Sequence, residues 1–90
     1  MNRYTSHSIT RCQQRGVKAE VADFIVAHGD FTRTHQDRKF FINKSKLKNL
    51  FLNHKEFILK NDKQILSTAV IANGNTIITV MKKINKLKWN

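Results

Sequence analysis

Apolar residues recur at helical spacing in the first third of the chain. A first helix is predicted over Ser8–Arg15, because Ser6 or Ser8 can cap its start and Gly16 suits its end. A second helix is predicted from residue 18 to the residue before Gly29. Its apolar stripe has the spacing of one helix face and consists of Val17, Val21, Phe24, Ile25 and His28.

A hairpin and a third helix are predicted in the middle of the chain. Residues 31–36 alternate, residues 39–43 are rich in apolar side chains, and the polar run 36–38 between them is typical of a turn. Ser45 can cap the third helix, which we expect to end at the polar run 61–63. The apolar face of this helix consists of Leu47, Leu50, Phe51, His54 and Ile58.

A second hairpin closes the chain. Residues 65–72 and 75–82 flank Asn73-Gly74, the strongest short hairpin signal. A turn at these two residues predicts that Thr68 pairs with Thr79. The face predicted to pack under helices holds Ile65, Ser67, Ala69, Ile71, Ile78 and Val80.

The order helix, helix, hairpin, helix, hairpin predicts one α+β domain over residues 1–90. We expect the two N-terminal helices and the third helix to pack on an antiparallel sheet built from the two hairpins. Residues 82–90 are expected to form a basic C-terminal tail, because they carry four lysines and no acid.

The chain is strongly basic, with 17 Lys and Arg against 6 Asp and Glu and a formal net charge of +11. This balance predicts a polyanionic partner. Nucleic acid fits best, because Lys and Arg neutralise phosphates and release counterions. A membrane surface fits less well, since no helix is basic on one side and strongly apolar on the other.

Several other classes are disfavoured. The chain has neither the run of about 20 apolar residues that a membrane span needs nor the apolar segment of a signal peptide. Cys12 is the only cysteine, so no internal disulfide is possible and the cytoplasm is the expected location. We expect no cofactor and no metal, because no Cys–His spacing fits zinc and the six acids form no cluster for a two-metal site.

His7, Arg11 and Arg15 are spaced four residues apart and line one ridge if the first helix begins by His7. Two arginines one turn apart repel each other, so a phosphate is a natural partner for them. The alternative is a solvated arginine face beside a helix-entry histidine. Thr79 is either an ordinary β-branched strand residue or part of a polar patch with Thr68.

Six further residues are candidates for nucleic-acid contact: Arg33, His35, Arg38, Lys39, Lys82 and Lys83. His35 is predicted on the same hairpin face as Arg33 and near Arg38, where a histidine among cations suits acid–base work on a phosphodiester. Lys82 and Lys83 follow the last strand, where they can meet phosphate. A polar, solvated surface explains all six equally well.

Parts of this pattern resemble a bacterial domain-of-unknown-function family of small proteins with an H-x-x-x-R-x-x-x-R-G-[IV] start and a T-V-[YM] finish. The resemblance rests on the run His7-x-x-x-Arg11-x-x-x-Arg15-Gly16-Val17, on a helix ending at Gly29, and on the strand Ile77-Ile78-Thr79-Val80 followed by lysine. That family is similar to the RelE/ParE- and BrnT-like toxins, and more broadly to the barnase–EndoU–colicin–RelE group of metal-independent ribonucleases. The resemblance covers residues 4–83.

The resemblance implies a RelE- or barnase-like fold and RNA as the substrate class. It implies acid–base chemistry for His7, phosphate binding by Arg11 and Arg15, and a place for Thr79 in the active surface. The partners it implies are RNA, associated with the ribosome or tRNA, and an acidic antitoxin protein. The lysine-rich third helix is longer than the toxin fold needs, which makes it a candidate insertion that binds a partner.

Three functions remain open at this point. In a metal-independent endoribonuclease of toxin type, RNA supplies its 2′-OH as nucleophile, and His7 or His35 transfers protons. Arg11, Arg15 and Arg38 would then stabilise the developing negative charge. A non-catalytic nucleic-acid-binding or regulatory module explains the charge equally well. The third possibility is a protein-interaction domain for an anionic partner.

Overall fold

The computed structural model describes residues 2–82. In that part of the chain four helices are found: α1 (Ser6–Arg15), α2 (Ala19–His28), α3 (Lys44–Phe51) and α4 (Lys55–Ser67). The strands of this region are β1 (Arg3–Tyr4), β2 (Asp30–Thr34), β3 (Asp37–Phe41), β4 (Thr68–Asn73) and β5 (Thr76–Lys82). Lys83 and the rest of the expected basic tail lie outside the described residues.

The strands form one sheet in the order β1-β5-β4-β3-β2. Neighbours from β2 to β5 are antiparallel, whereas β1 pairs with β5 in parallel, with Arg3 opposite Thr76 and Tyr4 opposite Ile77. The α+β class is therefore confirmed, but the sheet is mixed rather than purely antiparallel. A strand of two residues is too short to show an alternating pattern, so no sequence signal indicates β1.

The first helix begins two residues earlier than predicted, and Thr5 caps it rather than Ser6 or Ser8. The Thr5 Oγ1 accepts a hydrogen bond from the Ser8 backbone N–H at 3.0 Å, and the Ser8 hydroxyl donates to the Thr5 carbonyl at 2.8 Å. Gly16 ends α1 as predicted, with a left-handed φ of 66°. The second helix also ends where expected, just before Gly29.

The predicted third helix is two helices. Asn43, not Ser45, caps α3, because its Oδ1 accepts a hydrogen bond from the Lys46 backbone N–H at 2.9 Å. The break lies at residues 52–54 rather than 61–63, and α4 continues through Asn61 to Ser67. Asn61 is buried and donates from Nδ2 to the Phe57 carbonyl at 3.0 Å, so a tertiary environment holds this polar residue in the helix.

Both predicted hairpins are present, but each turn is displaced by about a residue. The β2–β3 turn is His35-Gln36, with His35 at a φ of 54°. The β4–β5 turn is Gly74-Asn75 rather than Asn73-Gly74, and Gly74 has a φ of 60°. Because both turns use a left-handed residue, they match the two-residue turns that join twisted antiparallel strands.

A register shift in β5 changes which side chains face the core. Ile71 lies opposite Thr79 and Ala72 opposite Ile77, so Ile78 is an extra residue in β5. The predicted Thr68–Thr79 pair is therefore wrong. The predicted core face is correct at Val80 but wrong in β4, where Val70 and Ala72 rather than Ile71 face the helices. The buried residues of the core face are Thr68, Val70, Ala72, Ile77 and Val80.

The core lies between the sheet and the helices. α1 packs on β5, α2 packs on β4 and β3, and α4 packs against α2 and α3. Buried side chains from these layers meet in one cluster that includes Cys12, Ile25, Ile42, Ile65 and Val80. Within residues 2–82, no helix combines the length and the apolar character that crossing a membrane requires.

Candidate nucleic-acid interface

His7, Arg11 and Arg15 all belong to α1, which begins at Ser6 and thus includes His7. They lie on one flank of the helix, and we call these three residues the α1 ridge. With a rise of about 1.5 Å per residue, the Cα atoms of His7 and Arg15 are about 12 Å apart along the axis. His7 and Arg15 are exposed, whereas Arg11 is half-buried.

The side chain of Arg11 lies partly against the protein surface. Its Nε is shielded from solvent and has no hydrogen-bond partner among the described residues. Its Nη1 donates a hydrogen bond of 3.5 Å to Oε1 of Gln14, which is its one hydrogen-bond partner among residues 2–82. A shielded guanidinium N–H without an acceptor is unfavourable, and a ligand oxygen could satisfy it only if the Arg11 side chain moves outward.

Arg15 lines a cleft of about 290 Å³ at the end of α1, which we call the Arg15 cleft. Its walls are formed by Gln14, Arg15, Val17, Ser67, Thr68, Met81 and Lys82. The lining therefore contains two cations, hydroxyl and amide donors, and no carboxylate. These are the groups that bind the oxygens of a phosphate.

Thr79 does not share the core side of the sheet on which α1 packs. It precedes Val80, which is buried in the same cluster as Cys12 of α1. Because side chains alternate along a strand, Thr79 lies on the opposite face, in line with its neighbour Ile71 and with Lys39 of β3. Thr79 is half-buried, and its Oγ1 lies 3.4 Å from the Val80 carbonyl.

The basic residues of the first hairpin form a second cluster. Arg33 lies opposite Arg38, and the Arg38 guanidinium lies 4.6 Å from the centre of the Phe31 ring. Both arginines line a cleft of about 200 Å³ together with Asn73 and the carboxylate of Asp37. His35 belongs to the adjoining turn and is exposed.

The two basic clusters are far apart. Arg38 lies opposite Ala72 of β4, and Lys82 lies opposite Thr68 of the same strand. Four residues along the strand and two strands across correspond to about 16 Å between the Cα atoms of Arg38 and Lys82. The structure therefore brings Arg15 and Lys82 together but leaves Arg33, His35 and Arg38 at the other end of the sheet.

Two histidines and the single cysteine are packed among apolar side chains. The ring centres of His28 and His54 are 4.7 Å apart, and both rings contact Phe24, so these histidines pack against apolar side chains, as their places on the predicted apolar faces indicate. Burial raises the pKa of the Cys12 thiol, with a further contribution from the charge of Asp23. Among residues 2–82, no group of three or more His, Cys, Asp or Glu side chains is arranged to hold a metal ion.

Tyr4 and Asp23 join β1 to α2. The Tyr4 hydroxyl lies 2.7 Å from Oδ1 of Asp23, and the Asn2 amide donates to the same oxygen at 3.0 Å. Burial, followed by this hydrogen bond and the Asp23 charge, raises the pKa of Tyr4. This carboxylate is therefore occupied in fastening the edge strand to the fold.

Sequence reasoning missed Gln14, Ser67 and Thr68 as site residues. They come from three elements, α1, the end of α4 and the start of β4, which meet only after folding. The resemblance motif points to the helix that carries Arg15, but nothing in the chain order indicates which hydroxyl groups lie beside it.

Comparisons with known proteins found no relatives: no family model, curated protein or solved structure matches the chain. The RelE- and BrnT-like assignment thus stays a prediction based on the motif residues. The fold and the clefts define a small basic α+β protein with two separate clusters of cations.

Proposed function

We propose that the protein binds RNA, with the α1 ridge and the Arg15 cleft as the primary contact. The observation that carries the proposal is that Arg15 and Lys82, distant in sequence, line one cleft with hydroxyl and amide groups and without a carboxylate. Like-charged side chains repel each other, and an anion that lies between them offsets this repulsion. A phosphodiester supplies that anion, and the net charge of +11 favours a polymer of phosphates over a single one.

RNA is proposed over DNA because the α1 motif resembles that of ribonucleases. The exposed Phe31 beside Arg38 adds a surface on which an unpaired base can stack. Single-stranded RNA is therefore the probe of choice.

Binding is tested by fluorescence anisotropy with a labelled single-stranded RNA of about 12 nucleotides. The double variant Arg15→Gln/Lys82→Gln should bind about tenfold more weakly, and its log–log salt slope should fall by about 1.4, because two phosphate contacts are lost. The control Lys55→Gln/Lys60→Gln removes the same charge from exposed positions on α4. An equal loss in both variants would show that RNA binds through diffuse charge rather than at the Arg15 cleft.

A second candidate function is metal-independent RNA cleavage by the same surface. His7 is exposed and precedes Arg11 by one helical turn, about 6 Å of axial rise. We infer that a phosphodiester held by Arg11 can place the ribose 2′-OH near His7. His7 then takes the 2′-OH proton while the 2′-oxygen bonds to phosphorus. The 5′-oxygen leaves and takes a proton from water, which yields a cyclic phosphate end and a 5′-hydroxyl end.

Cleavage is tested by incubating RNA with the protein in excess chelator and identifying the ends of the products. We expect His7→Ala to retain RNA affinity and to lose cleavage, because His7 moves a proton and the arginines hold the phosphate. No cleavage by the wild type above the His7→Ala background would leave RNA binding without chemistry as the function, and equal cleavage by both would exclude His7 as the base. His35→Ala should retain activity, since His35 lies in the β2–β3 turn at the far cluster.

A further inference from the structure

An apolar groove of about 650 Å³ separates α3 from α4, on a surface that the RNA proposal does not use. Its apolar lining consists of Leu47, Phe51, Ile58, Leu59 and Leu66. Leu47 and Ile58 form a buried floor, whereas Leu59 is 61% exposed at the side. The groove shares no lining residue with the Arg15 cleft.

The exposure of Leu59 leaves burial energy available to a partner that covers it. Leaving a leucine side chain in water forgoes roughly 1.5–3 kcal/mol of burial energy. Leu66, which lies seven residues further along α4, lines the same groove. The groove therefore presents the regularly spaced apolar surface into which the apolar face of a second helix fits.

The charged residues at the rim of the groove favour a negatively charged partner. Lys44 and Lys48 are one turn apart on α3, and both line the groove. Neither forms an ion pair within the described part of the chain, and like charges at this spacing destabilise a helix. Asp62 is the one acidic residue of the lining. Negative charge on the partner would relieve the repulsion between the lysines.

We propose that the α3–α4 groove is the docking surface for an acidic amphipathic helix of a partner protein. Its apolar residues enter the groove beside Leu59 and Leu66, and its carboxylates face Lys44 and Lys48. The binding energy then comes from burial of the leucines, whereas the lysines select the charge of the partner. This proposal does not depend on RNA binding, because the groove and the Arg15 cleft share no lining residue. The two surfaces can therefore be tested separately with different probes.

The probe is a synthetic amphipathic peptide of about 18 residues, with leucines at helical i, i+3, i+4 and i+7 spacing and glutamates on the other face. A matched peptide carries lysines in place of the glutamates. The full-length protein should bind the acidic peptide about tenfold or more tightly than the basic one by isothermal titration calorimetry. Absence of binding, or equal affinity for both peptides, would overturn the proposal.

Two leucine variants show where the peptide binds. Leu59→Asp should weaken acidic peptide binding about tenfold or more, because it places a carboxylate in the groove. Leu52→Asp is the matched control, since Leu52 is 89% exposed and lies outside the groove lining. Equal weakening by both would contradict binding at this site. RNA affinity should be the same in both, which separates failure here from failure of the RNA proposal.

A second copy of the chain is the competing occupant. Analytical ultracentrifugation of the wild-type protein and of Leu59→Asp distinguishes the two cases. A monomeric wild type supports an acidic partner helix. A dimer that dissociates in Leu59→Asp would overturn the proposal, because the groove would then be covered by the protein itself.

Discussion

At the scale of single residues, two glycines end helices for different physical reasons. Gly16 has a left-handed φ of 66°, and a Cβ added there would contact nothing. Gly29 has an ordinary φ of −81°, but a Cβ there would lie 2.5 Å from the carbonyl oxygens of both Ile25 and Phe41. The first glycine satisfies a backbone conformation, and the second allows α2 and β3 to approach each other.

These reasons predict different costs for the same substitution. Gly16→Ala should lower the free energy of unfolding by about 1 kcal/mol, the cost of a left-handed residue. Gly29→Ala should lower it by about 3 kcal/mol or more, because two backbone segments must move apart. Urea unfolding followed by circular dichroism measures both. Similar losses would mean that β3 moves away from Gly29 at little cost.

Sequence alone could anticipate Gly16 but not the role of Gly29. A glycine after a helical run is a known helix end, and both positions fit that pattern. The close approach of Phe41 to Gly29 depends on the packing of β3 against the end of α2, which local sequence does not report. The same limit applies to Thr68, which joins Arg15 only through the fold.

At the scale of elements, the end of α2 and the start of α4 meet through aromatic rings. His28 and Phe24 come from α2, and they contact His54 and Phe57 at the start of α4. Burial lowers the pKa of His28 below its ordinary value of 6.5, and the charges of His54 and Lys46 lower it further. The packed junction therefore favours neutral His28.

The stability of the protein should decrease in mild acid because of this junction. The unfolded chain takes up the His28 proton near pH 6.5, whereas the folded protein takes it up only at lower pH. The free energy of unfolding therefore falls as the pH drops through 6.5, and this loss levels off below the pKa of folded His28. Urea unfolding at pH values between about 5 and 8 measures the effect.

Two control variants remove the titratable imidazole of His28, and one of them keeps an aromatic ring at this position. His28→Phe preserves an aromatic contact with Phe24, and His28→Gln removes it. Both variants should show a weaker pH dependence between about pH 5 and 7 than the wild type. An unchanged pH dependence in both would assign the effect to another group.

Most element types could be predicted from the sequence, whereas register and breaks could not. Capping residues and Gly16 indicate α1, helical spacing indicates α2, and Gly74 marks the last hairpin. The displaced turn and the extra residue Ile78 change the β4–β5 register, so Thr79 keeps its predicted face but lies opposite Ile71 rather than Thr68. A shift of one residue exchanges the two faces of a strand, so a correctly predicted strand such as β4 can be assigned the wrong buried face.

At the scale of the whole molecule, charge is divided between two corners of the sheet. Arg15 and Lys82 share one cleft, and Arg33 and Arg38 share another. The Cα atoms of Arg38 and Lys82 are about 16 Å apart, so one phosphate occupies one cleft at a time, whereas a strand of several nucleotides can reach both. The net charge of +11 thus consists of two separate anchoring points rather than one continuous patch.

This division predicts that the effect of the hairpin arginines depends on RNA length. Arg33→Gln/Arg38→Gln should leave the affinity for a dinucleotide, which has a single phosphodiester, within about twofold, because one phosphate occupies the Arg15 cleft alone. The same variant should weaken binding of about 20 nucleotides by about tenfold, since the second anchor is lost. Arg15→Gln/Lys82→Gln should weaken both lengths, and anisotropy titrations measure all four combinations. If the hairpin variant weakens the short RNA as much as the long one, the two corners contribute to a single site, and the primary contact does not lie at α1 alone.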